Sequence, residues 1–204
     1  SCPFARPRPY GHRTRAVGCG RHSAEPQLSS DQGGKIWAFA VSAFDMVYAS
    51  GRLHYRGRAM AATCGRGGVR DEKSEGDGAT PRGILRIGAL MYRPDRVAPP
   101  APWAIPIYPG DVWCDDPAHP SYNQFCRAPL QASHEQMRRA DPQYDIVLIT
   151  DWNWPNAHPG AGSAIFMHQW SRPGAPTAGC IATARSDVLW LAARVELGTR
   201  LIIR

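Results

Sequence analysis

The apolar residues of this chain come in short runs, and turn-forming residues close almost every one. Met46 to Ala49 ends at Ser50-Gly51 and is answered by Leu53 to Tyr55, which reads as a hairpin with glycine in its turn. Ala59 to Thr63 follows, and Pro81 and Gly83 lead into Ile84 to Leu90. DIVLIT (Asp145 to Thr150), Ser163 to His168 and Leu201 to Ile203 complete the set. At Ile36 to Val41 the alternation is apolar on both faces, as in a strand buried on both sides. Along 163–168, Ala164, Phe166 and His168 share one face while Ser163, Ile165 and Met167 share the other.

Two stretches read as short helices. Ser133 has the character of an N-cap with Gln136 three residues on, and Asp141-Pro142 would end that helix. The second starts near Ser186 with Asp187 in its first turn. Val188, Leu191, Ala192 and Val195 follow at helical spacing, and Gly198 would stop it. The expected fold class is mainly β with a few short helices. No apolar run approaches the roughly 20 residues that span a bilayer, so no membrane span is expected.

A chain of 204 residues is long enough for one domain with a substantial core. Residues 1–34, rich in Arg, Pro, Gly and Ser, read as a basic irregular extension, and 35–204 as the domain proper. Residues 93–129 are dense in proline and aromatics (Trp103, Tyr108, Trp113, Tyr122, Phe125). A lid or subdomain spanning about 93–142 is therefore expected. The net charge is +7 with a pI near 9.4, and residues 1–35 carry six basic against two acidic side chains. Such a balance favours an acidic partner: nucleic acid, anionic lipid or an anionic polymer such as the cell wall. The basic residues gather in the extension and do not interleave with aromatics on a sheet, which argues against a nucleic-acid binder.

Six cysteines point to an oxidising compartment. Cys114 with Cys126 flanks the proline-rich segment and is the expected disulfide, with Cys2 and Cys19 a second candidate. Cys2, His12, Cys19 and His22 can be written as zinc ligands, but the spacing lacks a tight cysteine pair. Asp115, Asp116 and His119 are equally well explained as turn formers before and after Pro117. The Gly-rich loop around Lys73 has no Gly-Lys-Ser/Thr and no helix behind it, which argues against a nucleotide site. Neither metal nor cofactor is expected. The chain begins Ser-Cys-Pro with no basic-then-apolar leader, as in a cytosolic protein or one whose signal peptide has been removed.

The chemistry concentrates in Ser163 to Ala182. His168 ends an apolar strand, a Pro/Gly loop follows, and Cys180 sits among the small residues Thr177, Ala178 and Gly179. A thiol with little steric cover and an imidazole across a loop make the minimal apparatus for covalent acyl transfer. His158, in a proline-flanked loop, is the rival base. The backbone N–H groups of Gly179 and Cys180 are candidate oxyanion donors.

HQWSRPGAPTAGC (168–180) resembles the signature of the YkuD-type L,D-transpeptidases, a His, a variable loop and then Ser/Thr-x-Gly-Cys. GDGATPRG (76–83) is similar to the Thr-Pro-x-Gly element of that family. YNQ (122–124), WCDDP (113–117) and LIIR (201–204) sit as in a divergent branch of it, and the resemblance covers residues 36–204. It implies a β-sandwich-like domain that cross-links peptidoglycan stem peptides in the periplasm or cell envelope as a monomer. Cys180 would be the nucleophile and His168 the base. Candidate substrate contacts are Thr177, Ala178, Gln169, Arg172, Arg138, Arg139, Trp113 and Tyr122, with Arg172 and Arg185 also near the thiol in sequence.

The family's second histidine is Ala178 here, and its following arginine is Ala182. Donor recognition therefore shifts elsewhere, which favours 1,3-type over 3,3-type links. Hydrolysis by the same Cys/His site, as an L,D-carboxypeptidase or endopeptidase, and a silent wall-binding module are the alternative readings.

Overall fold

The computed structural model describes residues 41–204. In it, the short runs pair into strands numbered along the chain. They are β1 (Met46–Ala49), β2 (Arg52–Tyr55), β3 (Arg58–Thr63), β4 (Val69–Arg70), β5 (Thr80–Pro81), β6 (Gly83–Tyr92) and β7 (Ile105–Pro106). Next come β8 (Asp111–Cys114), β9 (Gln124–Arg127), β10 (His134–Gln136), β11 (Ile146–Thr150), β12 (Phe166–Gln169) and β13 (Ile181–Thr183). Helix α1 (Arg185–Ala192) and β14 (Arg200–Ile203) complete the domain.

The main sheet runs β11-β12-β13-β3-β2-β1-β14-β6-β7, and β11 also pairs with β6, so eight of its strands close into a ring. The ten-residue β6 makes closure possible. Its first half pairs with β14 (Leu201↔Leu85) and its second with β11 (Leu148↔Leu90). The result is a β-sandwich whose halves share β3 and β6. One apolar core gathers residues of both halves, among them Met46, Leu53, Met60, Leu85, Leu90, Leu148 and Met167. Each such side chain contributes about 1.5–3 kcal/mol when fully buried.

That core fixes which side of β12 faces the site. Ile165 and Met167 point into it, while Phe166 and His168 lie on the opposite face against Trp113 and Tyr144. A one-residue slip of β12 would expel Met167 and drive the imidazole into an apolar interior, which burial without a partner opposes.

Residues 93–142 contribute β7 to the main sheet and build a separate three-stranded sheet, β10-β8-β9. The helix expected after Ser133 is instead strand β10, antiparallel to β8 with His134↔Cys114 and Gln136↔Val112. The capping pattern was present, but Met137 is the one large apolar residue in 133–140. With no stripe to bury, the backbone pairs with β8.

The second expected helix is found, with changed ends. Ala184 is its N-cap without a side-chain cap, Ser186 lies inside, and it stops at Ala192. Val195 enters the core from the following loop. The strand expected over 163–168 begins at Phe166, because Ala164 takes a positive φ of 51°.

Cys114 and Cys126 are free thiols, as are Cys64 and Cys180. Register explains why the expected Cys114–Cys126 disulfide is not made. Cys126 lies opposite Val112, and Cys114 opposite Gln124, so the two thiols are diagonal neighbours, roughly 7–8 Å apart at Cα. That exceeds what a disulfide spans without backbone movement. The candidate Cys2–Cys19 pair, the zinc-like set, the 1–34 extension and nearly all of the 36–41 strand lie outside the described residues.

Candidate active site

The Cys180 loop is held by a network that begins at the Thr-Pro-x-Gly element. Gly65 and Thr177 form a parallel bridge, with Thr177 N–H donating to Cys64 O (3.0 Å) and Arg66 N–H to Thr177 O (2.9 Å). Thr80 is fully buried. Its hydroxyl donates to Gly179 O (2.7 Å) and accepts the Gly65 N–H (2.8 Å).

Two glycines are dictated by this close approach. A Cβ at Gly65 would stand 2.1 Å from Gly78 O. Gly179 has φ 152°, and its Cβ would press on Ala79 O and the Ile165 side chain at 3.1 Å. Thr177 closes the turn, donating to Cys180 O (2.6 Å) and accepting the Gly179 N–H (3.0 Å). The Gly179 N–H is therefore already engaged. This corrects its expected role as an oxyanion donor and leaves the Cys180 N–H as the candidate from that pair.

Cys180 itself is 7% exposed, and its thiol donates to Ala164 O at 3.1 Å while accepting the Phe166 N–H at 3.4 Å. Burial first, and then the charge of Glu135, push the thiol up to about 12, against smaller opposing effects of the Phe166 N–H and Lys73. His168 stands on the same face as Phe166, two residues further along β12. Its Nδ1 is 2.8 Å from Gln169 O. A carbonyl can only accept, so Nδ1 carries the hydrogen and Nε2 is left as the basic nitrogen. Burial lowers this imidazole to about 4. At neutral pH the resting pair is thus an uncharged thiol and an uncharged imidazole.

Both line a cavity of about 580 Å³, together with Thr177, Ala178 and Arg139 from the sequence expectations. Arg139 is clamped by Asp141 (2.6 Å) and lies over the Tyr144 ring. The other expected contacts fall elsewhere. Gln169 serves through its carbonyl, while its side chain accepts from Arg185, which is itself paired with Asp145. Arg138 pairs with Asp95, and Arg172 is exposed on the loop and absent from the cavity wall.

Trp113 is fully buried, donating to Asn123 Oδ1 (2.8 Å) and packing edge-on against Phe166. Tyr122 is buried with its hydroxyl on Glu75. Neither lines the 580 Å³ cavity, and the Trp113 ring covers Phe166 on the outer face of β12. The rival base His158 is exposed and held in its own loop through Asn153.

Arg66, Glu135 and Tyr144 also line the cavity, and no sequence motif marks them. Glu135 was hidden by the helical reading of 133–140. Its carboxylate accepts the Tyr144 hydroxyl, and the Tyr144 ring meets His168 edge-on at 5.1 Å. Asn123 carries no sequence signal beyond YNQ. It accepts the Ala164 N–H (3.0 Å) and so pins the residue whose carbonyl receives the Cys180 thiol. Among the described residues no group of three or more metal-ligating side chains is arranged to hold a metal ion. Asp116 and His119 accept backbone N–H groups of their own turn.

The sequence profile of the YkuD family, the L,D-transpeptidase catalytic domain, matches residues 38–203. This chain belongs to that family. It is therefore an enzyme-family domain of the mostly-β transpeptidase type. No curated protein matches the chain. Among solved structures it is similar to the L,D-transpeptidase (residues 123–326) of Xylanimonas cellulosilytica, with 14% identity and a TM-score of 0.37, over 80% of this chain and 62% of that one. It is also similar to an L,D-transpeptidase from Mycobacterium smegmatis, with 17% identity and a TM-score of 0.34, over 75% of this chain. The chain spans 62% and 52% of the lengths of these two. Among the described residues no helix is long and apolar enough to cross a membrane.

Proposed function

We propose that this YkuD domain joins peptidoglycan stem peptides through a thioester on Cys180, with His168 as base and then acid. The observation that carries the reading is the placement of both groups on one cavity, with His168 Nδ1 committed to Gln169 O and Nε2 left for the thiol. In the resting state the thiol rests on Ala164 O. It turns toward His168 when a donor carbonyl arrives, and sulfur attacks as the imidazole takes its proton. The tetrahedral oxyanion falls to the Cys180 N–H. The leaving group departs with the proton from His168, and an amine of a second stem resolves the thioester.

The link is of the 1,3 type, in which the acyl donor is the L-Ala next to the sugar. Two positions support this. Ala178 lines the cavity with no donor to offer a stem carboxylate. Ala182, fully buried opposite His168 and Thr63, has none to offer either. Arg66 and Arg139 supply the cavity's cations instead. With this substrate, the protein works in the periplasm or cell envelope. Tandem mass spectra of dimers made from purified muropeptides test the reading. Links from position one to position three are expected, and dimers joined only between two position-three residues would contradict it.

A further inference from the structure

A second cavity, of about 170 Å³, meets the first at Cys180, Ala178, Glu135 and Arg66. Three carboxylates line it, Glu75, Asp115 and Glu135, with the cations Arg66 and Lys73. Lys73 is already matched, its ammonium lying 2.7 Å from Asp77 Oδ1 with a side chain 3% exposed. None of the three carboxylates belongs to an ion pair among the described residues. Glu75 and Glu135 each accept a tyrosine hydroxyl, from Tyr122 and Tyr144. Asp115 differs, because its Oδ1 is wholly buried and has no hydrogen-bond partner.

An orphaned carboxylate oxygen in an acid-rich enclosure is costly unless a cationic donor completes it. A metal ion is a poor candidate, since no ligand set among the described residues is arranged for one. At water's share of about 30 Å³ per heavy atom, the space admits roughly six non-hydrogen atoms. That suits an ammonium on a short aliphatic arm.

We infer that this cavity binds the primary amine of the acyl acceptor, with Asp115 and Glu135 as its carboxylate partners. The role in transfer rests on the reading of Cys180 as the acyl carrier, whereas amine binding does not. The ammonium enters beside the sulfur and gives one proton to Glu135, whose burial already favours the protonated form. The neutral amine then forms the C–N bond as the C–S bond breaks. The sulfur takes the electron pair, and a second N–H proton reaches it through His168. The products are an amide, the free thiol and one proton released from Glu135.

Two measurements on the folded protein test this, with Asp115→Asn as a near-isosteric variant and Asp116→Asn as the neighbouring control. Titration with 1,5-diaminopentane, followed by NMR shifts, should saturate in wild type and Asp116→Asn and weaken at least tenfold in Asp115→Asn. Pentan-1-ol should not bind. With a muropeptide donor, the fraction of thioester resolved by the diamine rather than by water should fall at least tenfold in Asp115→Asn, while acyl-enzyme forms within twofold of wild type. Glu135→Gln should lower the same fraction. Equal diamine binding by Asp115→Asn and wild type, or an unchanged transfer fraction, would overturn the inference. Diamine binding that depends on Asp115 in a protein that never acylates at Cys180 would uphold the amine site and remove the nucleophile reading.

Discussion

Thr80→Val replaces a fully buried hydroxyl with a methyl group of nearly the same shape, so it isolates one pair of hydrogen bonds. The hydroxyl accepts the Gly65 N–H at 2.8 Å and donates to Gly179 O at 2.7 Å. Valine leaves both backbone groups buried and unpaired, because Gly65 is shut in by Gly78 and Gly179 by Ala79 and Ile165. Each orphan costs about 1–3 kcal/mol, so the expected loss is about 2–6 kcal/mol. For a domain of this size that lowers Tm by about 4–24 °C. Urea denaturation should show a lower midpoint at unchanged slope. Thr80→Ser, which keeps the hydroxyl, should recover most of the stability. The released carbonyl also belongs to the residue before Cys180, so thioester formation should fall further than the unfolded fraction explains. A Thr80→Val protein within 0.5 kcal/mol of wild type, and equally active, would refute the view that this hydroxyl holds the nucleophile loop.

Stability should be bounded on both sides by the buried pair. His168, held near 4 against an ordinary value of 6.5, contributes stability that is present above pH 6.5 and lost as pH falls toward 4, about 3 kcal/mol in all. Cys180, held near 12 against 9, contributes stability that is present below pH 9 and lost as pH rises toward 12, about 4 kcal/mol. Denaturant midpoints across pH should show both flanks, and Cys180→Ala should flatten the alkaline one; an alkaline flank as steep in that variant as in wild type would count against the assignment. Removing the negative charge of Glu135 lowers the thiol's proton affinity, so Glu135→Gln should speed iodoacetamide alkylation of Cys180 several-fold at pH 8. Alkylation no faster than in wild type would place Glu135 away from the sulfur. Alkylation without reductant, followed by peptide mapping, should find Cys114 and Cys126 both labelled, and an intact cross-linked peptide would contradict the β8–β9 register.

The strands of the sandwich were legible because each buried face leaves a period of two between turn residues. Ile165 and Met167 against Phe166 and His168 is the clearest case, and it placed the site face of β12 correctly. The small strands β8, β9 and β10 were not legible. Their pairing partners lie outside their own runs, and the cap-like Ser133 and Gln136 imitate a local signal that tertiary pairing overrides. Aromatic content alone does not separate a ring that binds from a ring that packs, as Trp113 does against Phe166. The role of Thr80 needed contacts across 99 residues, and the orphaned oxygen of Asp115 needed the whole cavity.

The covalent step is the central claim, and mass spectrometry of the digested protein reads it directly. Wild-type protein mixed with a purified muropeptide donor, quenched in acid and digested, should carry the donor acyl group on Cys180 and on no other cysteine. His168→Ala should acylate far more slowly. Cross-linked product from Cys180→Ala, or an adduct at Cys64, Cys114 or Cys126 in its place, would contradict it.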